Sequence, residues 1–183
     1  MKITAVVGSY RRGGTTESAV DELLDAAREA GAEVQKLNLL DKHVEFCTKC
    51  PLDDEMGAML DELEQSDGIV LASPMNFGTV TALMKRFIER FICYGYWPWG
   101  GMGPKNRTKE RNKRAVVVAV CAAPSWLVRW TTDMVKVMKR PAKLVGAGKI
   151  KKLWVGMAAQ QPEAHLGDRS RKKARKLGRW LAS

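Results

Sequence analysis

The sequence predicts an α/β fold, a doubly wound parallel sheet of five strands with helices on both faces. Short, nearly continuous apolar runs alternate with segments of helical period, five of each. That is the pattern of strands buried on both sides and joined by helical crossovers. Each interval between runs is long enough to hold such a crossover. No composition break interrupts the 183 residues, so one domain over residues 1–183 is expected.

The first strand is Lys2 to Gly8. Thr15 and Thr16 offer an N-cap to the helix behind it, where Val20, Leu23, Leu24 and Ala27 recur at helical spacing before Gly31 supplies a stop. A weaker strand follows over Glu33 to Leu39. Asp53 to Glu55 put acids where a helix start favours them, and Met56, Met59, Leu60 and Leu63 form its buried stripe. Gly68 to Ser73 is the next strand. The helix behind it has the clearest period of the chain: Val80, Leu83, Met84, Phe87, Ile88, Phe91 and Ile92. Gly, Pro, Trp and basic residues break that rhythm from Tyr94 to Lys113, a long loop. Ala115 to Cys121 is the fourth strand. One helix is then expected from Trp126, Leu127, Trp130, Met134, Val137 and Met138, ending near Pro141. Leu153 to Met157 completes the sheet, and Asp168 to Leu181 forms a basic terminal helix.

Composition narrows the function classes. With 45% hydrophobic and 28% charged residues, the chain sits in the globular range. The longest apolar run, Ala115 to Ala123, has nine residues, about half of what a bilayer requires. Ile3 to Val7 is too short for a signal peptide and is followed at once by Arg11 and Arg12. A cytoplasmic protein without membrane contact is expected. Cys47, Cys50, Cys93 and Cys121 do not compose a secreted disulfide framework. The formal net charge of +11 is unevenly held: the first hundred residues carry 10 Lys/Arg against 16 Asp/Glu, the remainder 21 against 4. Such asymmetry suits an anionic partner (a phosphorylated cofactor, nucleic acid or an acidic face of another subunit) or a plain solvated surface.

In doubly wound sheets ligands collect beyond the carboxyl ends of the strands. The first loop there is Gly8-Ser9-Tyr10-Arg11-Arg12-Gly13-Gly14-Thr15-Thr16. Its glycines permit tight backbone, its three hydroxyls can donate to phosphate oxygens, and the helix-start amides add a positive field. Arg11 or Arg12 can supply formal charge. The loop asks for a phosphate. It is not a nucleotide-hydrolase loop, because Gly14 stands where the lysine must be and the strand after it ends in Ser73 rather than Asp. The dinucleotide pattern G-x-G-x-x-G is absent. The second loop, Ser73-Pro74-Met75-Asn76-Phe77-Gly78-Thr79, combines a stiffening proline, flat apolar surface and exposed amides suited to the polar edge of a planar heterocycle.

Together these two loops resemble those of the NAD(P)H-dependent FMN reductase family of flavodoxin-like proteins and their relatives, the iron–sulfur flavoproteins. The resemblance rests on Gly8-Ser9-x-Arg11 with Gly14, Thr15 and Thr16, and on Ser73-Pro74-x-x-Phe77-Gly78-Thr79-Val80-Thr81-Ala82-Leu83-Met84-Lys85. It implies a flavodoxin-like strand order, 2-1-3-4-5, and FMN as cofactor with NAD(P)H as cosubstrate. It also implies a hydride passed through bound FMN to a small acceptor such as a quinone, flavin, metal ion or nitro or azo compound. Ser9, Arg11, Gly14, Thr15 and Thr16 would hold the phosphate. Pro74, Met75, Asn76, Phe77 and Gly78 would line the ribityl chain and ring, and Ala122 and Ala123 would let backbone approach the ring closely. A homodimer or homotetramer is implied. No side chain need act as acid or base in hydride transfer, so no catalytic residue is assigned.

The iron–sulfur relatives need four clustered cysteines, and only Cys47 and Cys50 lie close together here. With His43 they offer three zinc ligands on one loop, a thin set; no metal is expected, and the cysteines read as a redox pair or a remnant of the cluster loop. Tyr96, Trp97 and Trp99 crowd one loop and read as flavin cover, subunit interface or a satellite cluster within the monomer. The terminal helix surrounds Ala174, Leu177 and Leu181 with basic residues that read as a solvated face. Nucleic acid is therefore not expected as a partner, although a basic interaction module without flavin stays open as a rival reading. An FMN-binding electron carrier is the other rival.

Overall fold

A computed structural model describes residues 1–48, 53–103, 105–106, 108–160, 163–164 and 166–183. Its elements are β1 (Lys2–Val7), α1 (Thr15–Glu29), β2 (Glu33–Asn38), α2 (Met56–Gln65), β3 (Gly68–Asn76), β4 (Thr79–Val80), α3 (Ala82–Glu89), β5 (Gly95–Tyr96), β6 (Lys105–Asn106), β7 (Lys113–Val120), α4 (Ser125–Val128), α5 (Met134–Leu144), β8 (Ala147–Val155) and α6 (Asp168–Leu181). Five parallel strands run in the order β2-β1-β3-β7-β8; numbered among themselves they read 2-1-3-4-5. The departure from the expected sheet is β4, which pairs antiparallel with the end of β3.

Strand residues alternate between two cores, one on each face. Val6, Leu71 and Val117, adjacent in register, pack with α2, α3 and α5 through Met59, Leu63, Met84, Phe87 and Met138. Their neighbours Ala5, Val70 and Val116 pack with α1 and α6 through Val20, Leu23, Ala174 and Leu177. The continuous apolar strands of the sequence are thereby explained: both faces are covered.

Several boundaries differ from the sequence reading, each for a visible reason. The N-cap of α1 is Gly14, with Thr15 and Thr16 already in the first turn. β3 continues three residues past Ser73 because β4 folds back on it across a two-residue turn. In that turn Phe77 (φ 48°) and Gly78 (φ 82°) both take the left-handed backbone that tight hairpins demand. Val80 therefore belongs to a strand, and α3 starts at Ala82, where the Thr81 hydroxyl caps it by accepting the Met84 N–H at 3.2 Å. The helix expected over 126–141 is two helices: the Thr132 hydroxyl accepts the Met134 N–H at 3.1 Å and donates to the Gly78 carbonyl, restarting the helix at Met134. Pro141 lies inside α5, which runs on to Leu144. β8 starts at Ala147 rather than Leu153, its early residues obscured by lysines on the free sheet edge. The 94–113 loop holds the small β5–β6 pair.

Candidate functional site

The carboxyl ends of β1, β3, β7 and β8 converge on one open cavity of about 300 Å³. From the first loop it takes Ser9, Arg11, Gly14, Thr15 and Thr16, and from the second Pro74, Met75 and Asn76. Ala122 joins from the end of β7. Nine of the twelve residues singled out in the sequence thus share one cavity. Phe77, Gly78 and Ala123 lie outside its lining: the first two form the exposed tip of the β3–β4 hairpin, and the Ala123 carbonyl accepts the Met157 N–H at 3.2 Å.

The first loop is held from below. The Gly8 N–H donates to the Ala72 carbonyl at 2.8 Å, and the Gly8 carbonyl accepts the Thr81 hydroxyl at 2.7 Å, which ties the loop to the start of α3. A Cβ on Gly8 would stand 2.7 Å from the Met84 Cβ, so glycine is required there. Ser9 makes a local turn, its hydroxyl accepting the Arg11 N–H at 3.1 Å. The Gly13 N–H donates to the Glu17 carboxylate at 2.6 Å. Glu17 is in turn held by the Lys36 ammonium at 2.8 Å and the Asn38 amide at 3.1 Å. The Lys36 hydrogen bond chiefly pulls the Glu17 carboxyl down to about 2, with burial opposing and the Gly13 N–H and Asn38 adding to the fall. A carboxylate close to the loop is thus neutralised by Lys36 and fixes the backbone.

What remains exposed to the cavity is positive. Gly14 caps α1 without a side-chain hydrogen bond, and the first-turn Glu17 is turned to the Gly13 N–H and Lys36, so the first-turn amides of α1 stay open as a helix start. Arg12 pairs with Asp41; Arg11 has no carboxylate partner among the described residues and lines both this cavity and an adjoining one of about 280 Å³. Loop chemistry offers both arginines and the family resemblance assigns Arg11 alone to the phosphate; the fold gives the two different surroundings.

The far wall is small and apolar. Val120, Cys121, Ala158 and Ala159 line it, and Tyr10 completes the rim. The Cys121 N–H donates to the Val155 carbonyl at 2.9 Å and its carbonyl accepts the Ala158 N–H at 3.0 Å, locking the β7 and β8 loops together. A Cβ on Gly156 would meet the Ser125 nitrogen at 2.5 Å, so the two loops touch backbone to backbone. Burial pushes the Cys121 thiol up, and it donates to the Ala123 carbonyl at 3.3 Å: a neutral wall, not a nucleophile. The sequence reading placed Cys121 in the loop expected to pass the ring but missed Val120, Ala158 and Ala159, because only the adjacency of β7 and β8 brings the two alanines to the site. Cys47 lies in the loop after β2, away from this lining. Cys50 lies outside the described residues, and no group of three metal-ligating side chains occurs among those described.

Among known proteins, an iron–sulfur flavoprotein of Archaeoglobus fulgidus is 34% identical over 107 residues, 54% of this chain and 49% of the relative. The matched stretch spans about half the length of that relative. Two solved structures overlay the chain end to end. One is an FMN-dependent NADH-azoreductase from Bacillus anthracis in complex with FMN, with TM-score 0.75, 12% identity and all of both chains covered. The other is an NAD(P)H:quinone oxidoreductase from Methanothermobacter marburgensis, with TM-score 0.75, 16% identity, and 99% of this chain and 98% of that one covered. At such identities the overlays speak for a shared flavodoxin-like fold. The family description NADPH-dependent FMN reductase matches residues 1–158, a stretch that begins with β1 and reaches through the β8 loop to Ala158. With that match laid over the cavity's four converging loops, the chain belongs to the NADPH-dependent FMN reductase family.

Proposed function

We propose that the protein is an FMN-dependent oxidoreductase that takes reducing equivalents from NAD(P)H and delivers them to a small acceptor, and that it acts as a homo-oligomer. The observation that supports this most is one cavity joining an anion-ready helix start to a slot with flat, small-residue walls. FMN has those two ends, a phosphate and a planar ring. The donor set fits: the first-turn amides and hydroxyls of Thr15 and Thr16 suit a phosphate dianion, and Arg11 adds a guanidinium with no carboxylate partner among the described residues. A volume of about 300 Å³ is at the lower end of ligand pockets, roughly 300–1,000 Å³, and the cavity is open to solvent, as a site that must also admit a second substrate requires.

Bound FMN supplies the redox chemistry, accepting a hydride and releasing electrons. The chain positions and screens. Ser9, Gly14, Thr15 and Thr16 anchor the phosphate end. Pro74, Met75 and Asn76 would hold the ring, and their backbone is fixed by the Ser73 hydroxyl, which donates to the Pro74 carbonyl at 2.9 Å and accepts the Thr81 N–H at 3.1 Å. Ala122, Ala158 and Ala159, small residues of the cavity wall, would let backbone amides approach the ring. Phe77, Gly78 and Ala123, outside the lining, neighbour lining residues in sequence and would meet the ligand only at its edge. The excess of cations favours a phosphorylated nicotinamide.

Titration of the purified protein with FMN, followed by anaerobic NADPH or NADH, tests the reading. Quenched flavin fluorescence at saturation and prompt bleaching of the yellow band are expected. Absence of a complex removes the flavin reading altogether; a bound flavin that stays oxidised under both nicotinamides leaves an electron carrier instead.

A further inference from the structure

We propose that the open edge of the sheet carries a second binding site, one for single-stranded nucleic acid, built apart from the flavin pocket. A cavity of about 540 Å³ lies where α5, β8, α6 and the segment after α4 meet. Arg129, Lys136, Lys139, Lys152 and Lys173 line it, and between them stand Trp130 and Trp154. It shares no lining residue with the flavin cavity.

The cations there are uncompensated. On α6 the acids of α1 take Arg171 and Arg175, through Glu22 and Glu29, while none of the five groove cations meets a carboxylate among the described residues. Part of this has a structural account: β8 pairs only with β7, and lysines on a free edge strand discourage pairing with another chain. That account covers Lys152. It does not cover cations brought from three other elements, nor Trp130, which is 80% exposed with the Arg129 guanidinium 5.1 Å from its ring centre.

An accessible indole, that of Trp130, set among unpaired cations and beside the half-buried Trp154, suits unpaired bases on a phosphate chain, a base stacking on the open ring while the backbone follows the positive groove. A duplex hides its base faces. An acidic protein surface would pair with the cations without needing a ring to stack on. A lone mononucleotide would need fewer cations than four elements contribute here. This departs from the expectation drawn from the terminal helix alone, because the juxtaposition of Lys173 with Trp154 and α5 is not visible along the chain.

The test is the anisotropy of a labelled oligothymidylate with the full-length chain, from about 50 to about 200 mM salt. Binding with quenched tryptophan fluorescence is expected, with a duplex of equal length bound at least about tenfold more weakly. The Lys136→Glu, Lys152→Glu, Lys173→Glu triple variant should lose at least about tenfold in affinity, and its salt slope should shrink by roughly 0.7 for each cation removed. Trp130→Ala should weaken binding by about fivefold or more with the slope unchanged. Circular dichroism melts establish that each variant folds, and Lys105→Glu with Lys109→Glu, neither of which lines the groove, is the charge control. Equal loss in that control, equal competition by duplex or polyglutamate, or full displacement by micromolar AMP would each overturn the proposal.

Discussion

Arg11 and Arg12 are neighbours in the chain and unlike in surroundings. Arg12 is paired with Asp41 on the 3-10 turn after β2, so its charge is already answered. Arg11 faces two adjoining cavities with no carboxylate partner among the described residues. A charge-assisted hydrogen bond to an anion contributes roughly 1.5–3 kcal/mol. Arg11→Ala should therefore weaken FMN binding by roughly 10- to 150-fold, and Arg12→Ala by less than about threefold. Flavin fluorescence titration reads both constants. Equal losses would show that the Asp41 pair opens when the phosphate arrives. The same pair shows where sequence reading stops at this scale: loop chemistry names both arginines and the resemblance chooses Arg11, but the physical ground for the choice is Asp41, about thirty residues away in the chain and brought close only by β2.

Among the elements, α6 lies beyond the residues that the family description matches, yet it is integral to the fold. It crosses α1 so closely that a Cβ on Gly178 would collide with the Leu23 carbonyl oxygen and approach the Ala26 Cβ to 3.1 Å. Backbone cannot yield as a side chain can, so Gly178→Ala should cost about 3 kcal/mol or more. That corresponds to a Tm fall of roughly 6–12 °C for a chain of this size. Gly57→Ala, also helical but with open space at the Cβ, should raise stability by up to about 1 kcal/mol. Thermal melts followed by circular dichroism compare them, and a silent Gly178→Ala would mean that α6 can slide on α1. The elements themselves were largely legible, since alternating apolar runs and 3.6-residue stripes are local signals. The errors have long-range causes. The 126–141 helix splits because Thr132 meets Gly78, and β3 lengthens because β4 returns to it. The site divides in the same way: loops 8–16 and 73–79 carry their chemistry in their own residues, whereas Val120, Cys121, Ala158 and Ala159 are ordinary small side chains that only the strand order makes into a wall.

At the scale of the whole molecule, the unexplained quantity is exposed apolar surface. Phe77, Trp99 and Met102 are 107%, 104% and 101% exposed, as open as in an extended chain. Trp97 is tethered by donating its indole N–H to the Gly101 carbonyl at 2.9 Å, so Trp99 is the freer of the two indoles. Fully burying one tryptophan removes roughly 150–250 Å² from water, about 4–6 kcal/mol at 25 cal/mol per Å². A single exposed side chain is ordinary, but several of the largest apolar side chains at full exposure, two of them within the 94–113 loop, are the surface that an interface would cover. We expect that interface to join copies of this chain, consistent with the homo-oligomer proposed above. Trp99→Ala with Met102→Ala should then convert the oligomer to monomer at micromolar concentration by light scattering, since a loss of about 5 kcal/mol is more than a thousandfold in the association constant. Neither residue packs in either core, so the melt of the variant at matched monomer concentration should stay within a few degrees of its parent. Flavin content then separates two uses of the surface. If it falls with the mass, the partner's loop closes the flavin site; if it holds while the mass falls, the aromatics serve assembly alone. An unchanged mass would leave the 94–113 loop without a role between subunits and turn attention to Phe77 and the α4 face, where Trp126 and Leu127 are also exposed.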